Sequence, residues 1–147
     1  MEKTCKDSAF GHMSYNRRWY KQQQISMFGK KWTITVVARA YSGRSITFEQ
    51  QNAYLYFMDH EKEMIEIIGD QLKLYVNKNF KLFSEYWKEA RPVVKINDLA
   101  EMVTPKTLLF KQDGTTIMLF DCVWDPEQGV GVELAPDVNV APQDMFL

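Results

Sequence analysis

Two apolar runs joined by a short polar stretch form the clearest pattern in the chain, between residues 117 and 134. The first run, residues 117–124, is rich in branched and aromatic side chains, which strands prefer. Asp125-Pro126 and Gly129 supply the chemistry of a tight turn before the second run. Both alternating faces of the first run are apolar except at Asp121. The pattern therefore predicts an antiparallel hairpin at the centre of a sheet, with its first strand covered on both sides.

The N-terminal third of the chain predicts a second hairpin. Residues 19–28 and 32–40 have strand-like composition and flank a short loop at residues 29–31. In the second of these strands, one face is apolar and the opposite face is more polar, so we expect the polar face to meet solvent. Residues 1–16 are polar and mixed, and we expect them to form a loose N-terminal arm.

Apolar residues recur at three- and four-residue spacing in the middle of the chain, which predicts helices. Thr47 and Gln50 have the spacing of a capping box, and Asp59-His60 is expected to separate this first helix from a second. We expect Asn77-Lys78-Asn79 to interrupt the second helix, with a further helical piece ending at Pro92. The predicted apolar stripes are Phe48, Leu55 and Met58, with Tyr54 and Phe57 beside them, in the first helix, Met64, Ile65, Ile68, Leu72 and Tyr75 in the second, and Phe80, Phe83 and Trp87 in the last piece.

The C-terminal third returns to strand patterns. A helical turn over residues 98–103 is expected to stop at Thr104-Pro105, and Asp113-Gly114 is a strong signal for a two-residue hairpin turn. Val138 and Val140 could form a last edge strand. The order of strands, helices and strands predicts an α+β fold, an antiparallel sheet built from hairpins with two or three central helices packed on one face. A length of 147 residues predicts a single domain spanning 1–147.

Charge is unevenly distributed, although the net charge is only −1. Residues 1–50 hold nine basic and three acidic side chains, whereas residues 98–147 hold two basic and nine acidic ones. One interpretation is that the two ends of the chain meet in the fold and offset each other; the other is a bipolar surface that steers a charged partner. No apolar window approaches a membrane span, and the first residues lack a signal core, so we predict a cytoplasmic protein without membrane contact.

Patterns that carry chemistry are sparse. The Cys and His residues have no zinc-ligand spacing, and no Gly-x-Ser-x-Gly elbow or glycine-rich phosphate loop is present. Asp121, Asp125 and Glu127 are weak candidates for a calcium or magnesium site, because Val123 stands where a ligand would be needed. Cys122 lies among large apolar residues, which predicts a buried thiol. We assign no catalytic residue and expect no cofactor.

Basic and aromatic residues are interleaved on the first hairpin, a pattern that could bind single-stranded nucleic acid. The same pattern is typical of an amphipathic edge hairpin whose lysines deter aggregation, and we favour that interpretation. The residues concerned are Arg17, Arg18, Trp19, Tyr20, Lys21, Lys30, Lys31 and Trp32.

The central hairpin resembles a family of small bacterial domains of unknown function. The resemblance is carried by residues 122–132, which fit the pattern Cys-x-Trp-Asp-x-Glu-His-Gly-x-Gly-Val except that Gln128 replaces the histidine. Thr104-Pro105-Lys106-Thr107 and Pro142-Gln143-Asp144 also fit. The resemblance implies an α+β domain from the bacterial cytoplasm and no established activity. Its motif residues here are Cys122, Trp124, Asp125, Glu127, Gly129 and Gly131.

Two functional hypotheses follow from these patterns. The first is a small non-enzymatic domain that binds another protein, as an immunity or regulatory factor in bacteria; the absence of catalytic patterns and the high aromatic content favour it. The alternative is a cryptic metal-dependent or acid–base hydrolase that uses Asp121, Asp125 and Glu127.

Overall fold

A computed structural model describes residues 3–147 and contains one eight-stranded sheet, which confirms the predicted α+β class. The strands lie side by side in chain order, and all neighbours are antiparallel except β4 and β5. That pair is parallel because the helices connect them across one face of the sheet. The strands are β1 (Lys3–Asp7), β2 (Gly11–Tyr15), β3 (Arg18–Met27), β4 (Lys30–Arg39), β5 (Val103–Phe110), β6 (Thr116–Cys122), β7 (Val130–Ala135) and β8 (Asn139–Pro142).

The N-terminal segment is a hairpin, so the expectation of a loose arm over residues 1–16 is wrong for its described part. β1 pairs with β2 in register, and β2 continues the sheet onto β3. Polar side chains in this segment face solvent, whereas Phe10 and Met13 are buried. Phe10 stacks on Tyr54 at 4.3 Å between ring centroids. Two large apolar anchors therefore hold a segment whose average composition is polar.

Two helices, α1 (Phe48–Asp59) and α2 (Glu61–Phe83), separate the two groups of strands. The capping box of Thr47 and Gln50 is present. Gln50 is fully buried, and its Nε2 also donates to the carbonyl oxygens of Arg39 at 2.8 Å and Phe110 at 3.0 Å. The helix start is thereby tied to the ends of β4 and β5.

The predicted stripe of α1 is wrong at two of its members. Phe48 and Leu55 are exposed, and the buried residues of α1 are Gln50, Tyr54 and Phe57. The anchoring of Gln50 rotates the helix so that residues at three- and four-residue steps from it face the sheet.

The predicted interruption of α2 at Asn77-Lys78-Asn79 is also wrong. The helix continues because both asparagine amides find partners within the folded structure. Asn77 accepts from the Val93 N–H at 2.6 Å and donates to the Val93 carbonyl at 3.0 Å. Asn79 donates to the Tyr75 carbonyl at 2.8 Å. The bonds to Val93 engage the amide of Asn77 outside the helix, so this side chain does not compete for the helix backbone, as asparagine otherwise does inside helices.

Two turns in the C-terminal third differ from the sequence-based expectation. A 3-10 turn spans Ile96–Glu101, and β5 begins at Val103 and runs through Pro105, where the strand carries a bulge. A bulge is one of the positions where a strand tolerates proline. The loop at Asp113-Gly114 covers residues 111–115 and is closed by the Lys111 N–H and the Thr115 carbonyl at 2.9 Å.

The strict chain order of the strands preserves the charge asymmetry in space. β1 and β8 are the two edges of the sheet, so the basic N-terminal third and the acidic C-terminal third lie in opposite halves of it. This arrangement contradicts the interpretation that the chain ends meet and offset each other. The charge distribution of the sheet is bipolar.

The central strand β6 is covered on both sides, as predicted. Met118, Phe120 and Cys122 belong to the main core with the helices. Ile117 and Leu119 belong to a smaller cluster on the opposite face, which also contains Val37, Leu109 and Phe146. Phe146 comes from a C-terminal 3-10 turn, Gln143–Phe146, that folds back over this face. Asp121 interrupts the second face and is exposed.

Phe146 packs where Gly131 lacks a side chain, and this contact gives a first prediction. A Cβ at Gly131 would lie 2.5 Å from Cδ2 of Phe146. Gly131→Ala is therefore expected to displace the Phe146 ring and to cost about 1 to 3 kcal/mol in urea unfolding, as overpacking does. In a Phe146→Ala background the same change should cost almost nothing, because the clashing ring is gone. Equal costs in both backgrounds would contradict the assigned contact.

Candidate binding site

Four aromatic side chains gather where the end of α2 meets the start of the β6–β7 turn. Trp124 stacks on Phe83, with 5.0 Å between ring centroids and 6° between planes. Tyr75 and Trp87 lie at tilted angles, 6.3 and 6.2 Å from Trp124. Trp124 is only 5% exposed, so its ring is a wall of the site and not a loose surface group.

The turn between β6 and β7 is held by its own side chains. The Asp125 carboxylate accepts from the Gln128 N–H at 3.2 Å, and the Gly129 N–H donates to the Asp125 carbonyl at 2.9 Å. The Gln128 side chain accepts from the Asp144 N–H at 3.1 Å. The side chain of Gln128 therefore links the turn to the C-terminal segment.

A half-open cavity of about 670 Å³ lies against this aromatic wall. Apolar and aromatic side chains make most of its surface, and three acids, Glu85, Asp125 and Glu127, complete it. The size falls within the range of pockets that hold a small ligand or a large side chain. The lining residues are Tyr75, Leu82, Phe83, Glu85, Tyr86, Trp124, Asp125, Pro126, Glu127, Gly129 and Pro142.

The predicted site residues divide between this cavity and its support. Trp124, Asp125, Glu127 and Gly129 line the cavity, whereas Cys122 and Gly131 do not. Asp121 lies elsewhere and pairs with Lys106, with 3.2 Å between Oδ2 and Nζ. Within residues 3–147, no three His, Cys, Asp or Glu side chains come together as a metal ion would need. The three hairpin acids proposed for a hydrolase are thus not brought to one place.

Sequence reasoning missed the half of the cavity that comes from α2 and the segment after it. Tyr75 was assigned to the helical stripe, and Phe83 to a separate helical piece. The missed cavity residues are Leu82, Glu85 and Tyr86. The available signal was the apolar spacing that continues past Asn79, but periodicity does not show which strand a helix end packs against.

Burial controls the titration of two groups beside the aromatic wall. Burial, with a smaller contribution from the nearby Asp125 carboxylate, raises the pKa of the Cys122 thiol to about 12. Burial also raises the pKa of Tyr75, again with contributions from Cys122 and Asp125. Both groups therefore carry their protons at neutral pH. A protonated thiol is a poor nucleophile, so the structure gives Cys122 no catalytic activation.

The raised pKa of Cys122 gives a second prediction. With a pKa of about 12, only about one thiol in ten thousand is ionised at pH 8. Iodoacetamide should therefore label Cys5, which is partly exposed, and should reach Cys122 only after unfolding in guanidinium. Peptide mapping by mass spectrometry distinguishes the two sites. Labelling of both thiols at similar rates in the folded protein would contradict the buried position of Cys122.

Both indole rings of the basic and aromatic first hairpin are held in the fold by hydrogen bonds. Trp19 is buried, and its Nε1 donates to the Arg44 carbonyl at 2.8 Å. Trp32 is half-buried, and its Nε1 donates to the Met27 carbonyl at 2.9 Å. Base stacking requires exposed ring faces. The geometry therefore favours a structural role for these two residues.

Comparison with known protein families identifies the family of this chain. Residues 9–147 match a family described as a domain of unknown function, DUF6985. The chain belongs to this family. The DUF6985 match covers the cavity, the central hairpin and all strands except β1. No curated protein and no solved structure matches the chain. Within the described part of the chain, each helix is too short or too polar to cross a membrane.

Proposed function

We propose that this DUF6985 domain is a non-enzymatic module that binds another protein through the cavity beside Trp124. The observation that carries the proposal is the combination of an aromatic-walled cavity with exposed apolar side chains at its rim. Leu82 is 63% exposed and Tyr86 is 74% exposed. Protein interfaces are enriched in aromatic residues, and their strongest contacts form where an anchor side chain fills such a pocket.

A second hollow extends the cavity along the boundary between α2 and β8. This hollow has a volume of about 230 Å³ and shares Tyr75 with the cavity. Leu74 and Val138 line it and are 64% and 46% exposed. β8 is the edge strand of the sheet on this side. Two hollows that meet at Tyr75 suit a segment of a partner chain better than a compact metabolite, because only an extended ligand covers both.

We further propose that the domain acts as a regulatory or immunity factor in the bacterial cytoplasm. Such factors act by occupying a partner and need no catalytic group of their own. The two cysteines are free thiols, which fits a reducing compartment. The bipolar sheet supports rapid encounter with a charged partner.

Site-specific photo-crosslinking tests the binding proposal. A benzoylphenylalanine placed at Tyr86, on the cavity rim, is expected to give one defined protein adduct in cells of the source organism. The matched control is the same residue at Phe48, which is 70% exposed on α1 and away from the cavity. The adduct at position 86 should disappear when Leu82→Ser is added. Identical adducts from positions 86 and 48 would contradict the proposal. A co-purified metabolite bound in the cavity, detected by native mass spectrometry, would also contradict it.

A further inference from the structure

We propose that the cavity receives an arginine side chain of the partner protein. This inference rests on the proposed function and specifies its chemistry. It joins two features of the described residues: the charge of the cavity lining and the flatness of its walls.

The charge of the lining is entirely negative. Glu85, Asp125 and Glu127 line the cavity, and the lining contains no Lys, Arg or His. In residues 3–147 the ion pairs are Arg91–Glu101 and Lys106–Asp121, so none of the three cavity acids has a cationic partner of its own. Asp125 is engaged with the turn through Gln128, whereas Glu85 and Glu127 are exposed at the rim. A cation entering the cavity would thus meet carboxylates that are free to pair with it.

The walls of the cavity select a flat cation over a compact one. Tyr86 supplies an exposed ring, and Tyr75 and Phe83 are half-buried in the lining, whereas Trp124 is buried behind Phe83. Aromatic faces attract cations, and a guanidinium combines stacking on a ring with paired hydrogen bonds to a carboxylate. An ammonium has neither the planar surface nor the forked donors, and it is more strongly hydrated. The combination of rings and rim acids therefore fits arginine better than lysine.

The fold places the hairpin half of this cavity in the acidic third of the chain and the other half on a basic segment. Its hairpin and its neighbour β8 belong to the C-terminal third, which carries nine acidic and two basic side chains. Residues 73–97, which supply the other half of the lining, carry six basic and two acidic side chains. Attraction of a cation therefore depends on the carboxylates of the lining itself, and it should weaken as salt is added.

Nuclear magnetic resonance titrations with short capped peptides test the inference on the whole protein. The probe is acetyl-Gly-Arg-Gly-amide, and its matched neutral partner carries citrulline, which has nearly the same shape without the charge. The arginine peptide is expected to shift the indole N–H signal of Trp124 and the amides of residues 125–129. The citrulline and lysine peptides should bind about tenfold more weakly. Equal binding of the citrulline or the lysine peptide would overturn the assignment to arginine.

Charge-removing variants provide the second arm. Glu85→Gln and Glu127→Gln should each lower the affinity for the arginine peptide about threefold. Added salt should reduce the difference in affinity between these variants and the unsubstituted protein. Asp113→Asn, on the distant loop between β5 and β6, removes an equal charge and should leave the affinity unchanged. If all three variants weaken peptide binding equally, the effect comes from net charge alone, and the assignment of arginine to this cavity is wrong.

The outcomes also separate this inference from the proposed function. The control peptide is acetyl-Gly-Leu-Gly-amide. If it shifts the same signals as strongly as the arginine peptide, the cavity remains a protein-binding site but its preference for arginine is rejected. Failure of every peptide to shift signals around Trp124 would reject the arginine pocket. The crosslink from position 86 would then decide the proposed function independently.

Discussion

Gly129→Ala is expected to destabilise the domain by about 2 to 5 kcal/mol. Gly129 has a φ of +83°, which costs a residue with a side chain about 1 to 2 kcal/mol. A Cβ at this position would also lie well inside van der Waals contact with the carbonyl oxygen of Phe120. That oxygen belongs to the backbone of the central strand, so relief of the clash must move β6 or the turn, at a further cost of about 1 to 3 kcal/mol.

The matched control for this prediction is Gly11→Ala. Gly11 has a similar φ of +78°, but a Cβ there would meet nothing within 4 Å. Gly11→Ala therefore measures only the cost of a positive φ for a residue with a side chain, and we expect it to destabilise the domain by about 1 to 2 kcal/mol. Urea unfolding followed by tryptophan fluorescence measures both variants. If Gly129→Ala costs no more than Gly11→Ala, the close approach of the turn to β6 is wrong.

Trp124→Ala is the second substitution with a large expected effect, a loss of about 3 to 5 kcal/mol. The ring is 5% exposed and contacts Tyr75, Phe83 and Trp87. Its removal leaves a void between the end of α2 and the central hairpin, and the stacking with Phe83 is lost as well. Trp124→Phe should keep part of the packing and part of the stacking, so its loss of stability should be smaller than that of Trp124→Ala.

Tyr86→Ala is the comparison for this loss. Tyr86 lines the same cavity but is 74% exposed, so its removal should change stability by less than about 0.5 kcal/mol. Thermal unfolding of Trp124→Ala, Trp124→Phe and Tyr86→Ala gives the order directly. A Trp124→Ala variant as stable as Tyr86→Ala would show that the indole is not a packed wall of the site.

The sequence alone was sufficient where the signal is local. The central hairpin, its Asp-Pro…Gly turn and the capping box of Thr47 and Gln50 depend on side chains acting on backbone a few residues away. The alternation of apolar residues also predicted correctly that Met118 and Leu119 would be buried on opposite faces of β6. The order of strand and helix patterns along the chain predicted the α+β class.

Tertiary contacts decided the elements whose local signals were weak or misleading. Phe10 and Met13 hold a polar N-terminal segment in the sheet, and the bonds of Asn77 to Val93 carry α2 through a stretch that predicts a break. Half of the cavity lining was also decided by tertiary contacts. Asp125 and Glu127 were singled out from the sequence, whereas Leu82, Glu85 and Tyr86 were not.

What the amino-acid order determined by itself is the two hairpins β3–β4 and β6–β7, the capped start of α1 and the turn that presents Trp124. What only the tertiary structure decided is the cavity, because it forms between the end of α2 and the central hairpin, about forty residues apart in the chain. Periodicity reports which side of an element is apolar, and it carries no information about the distant element that covers it. The charge asymmetry was visible in the sequence, but its separation into two halves of the molecule required the sequential strand order.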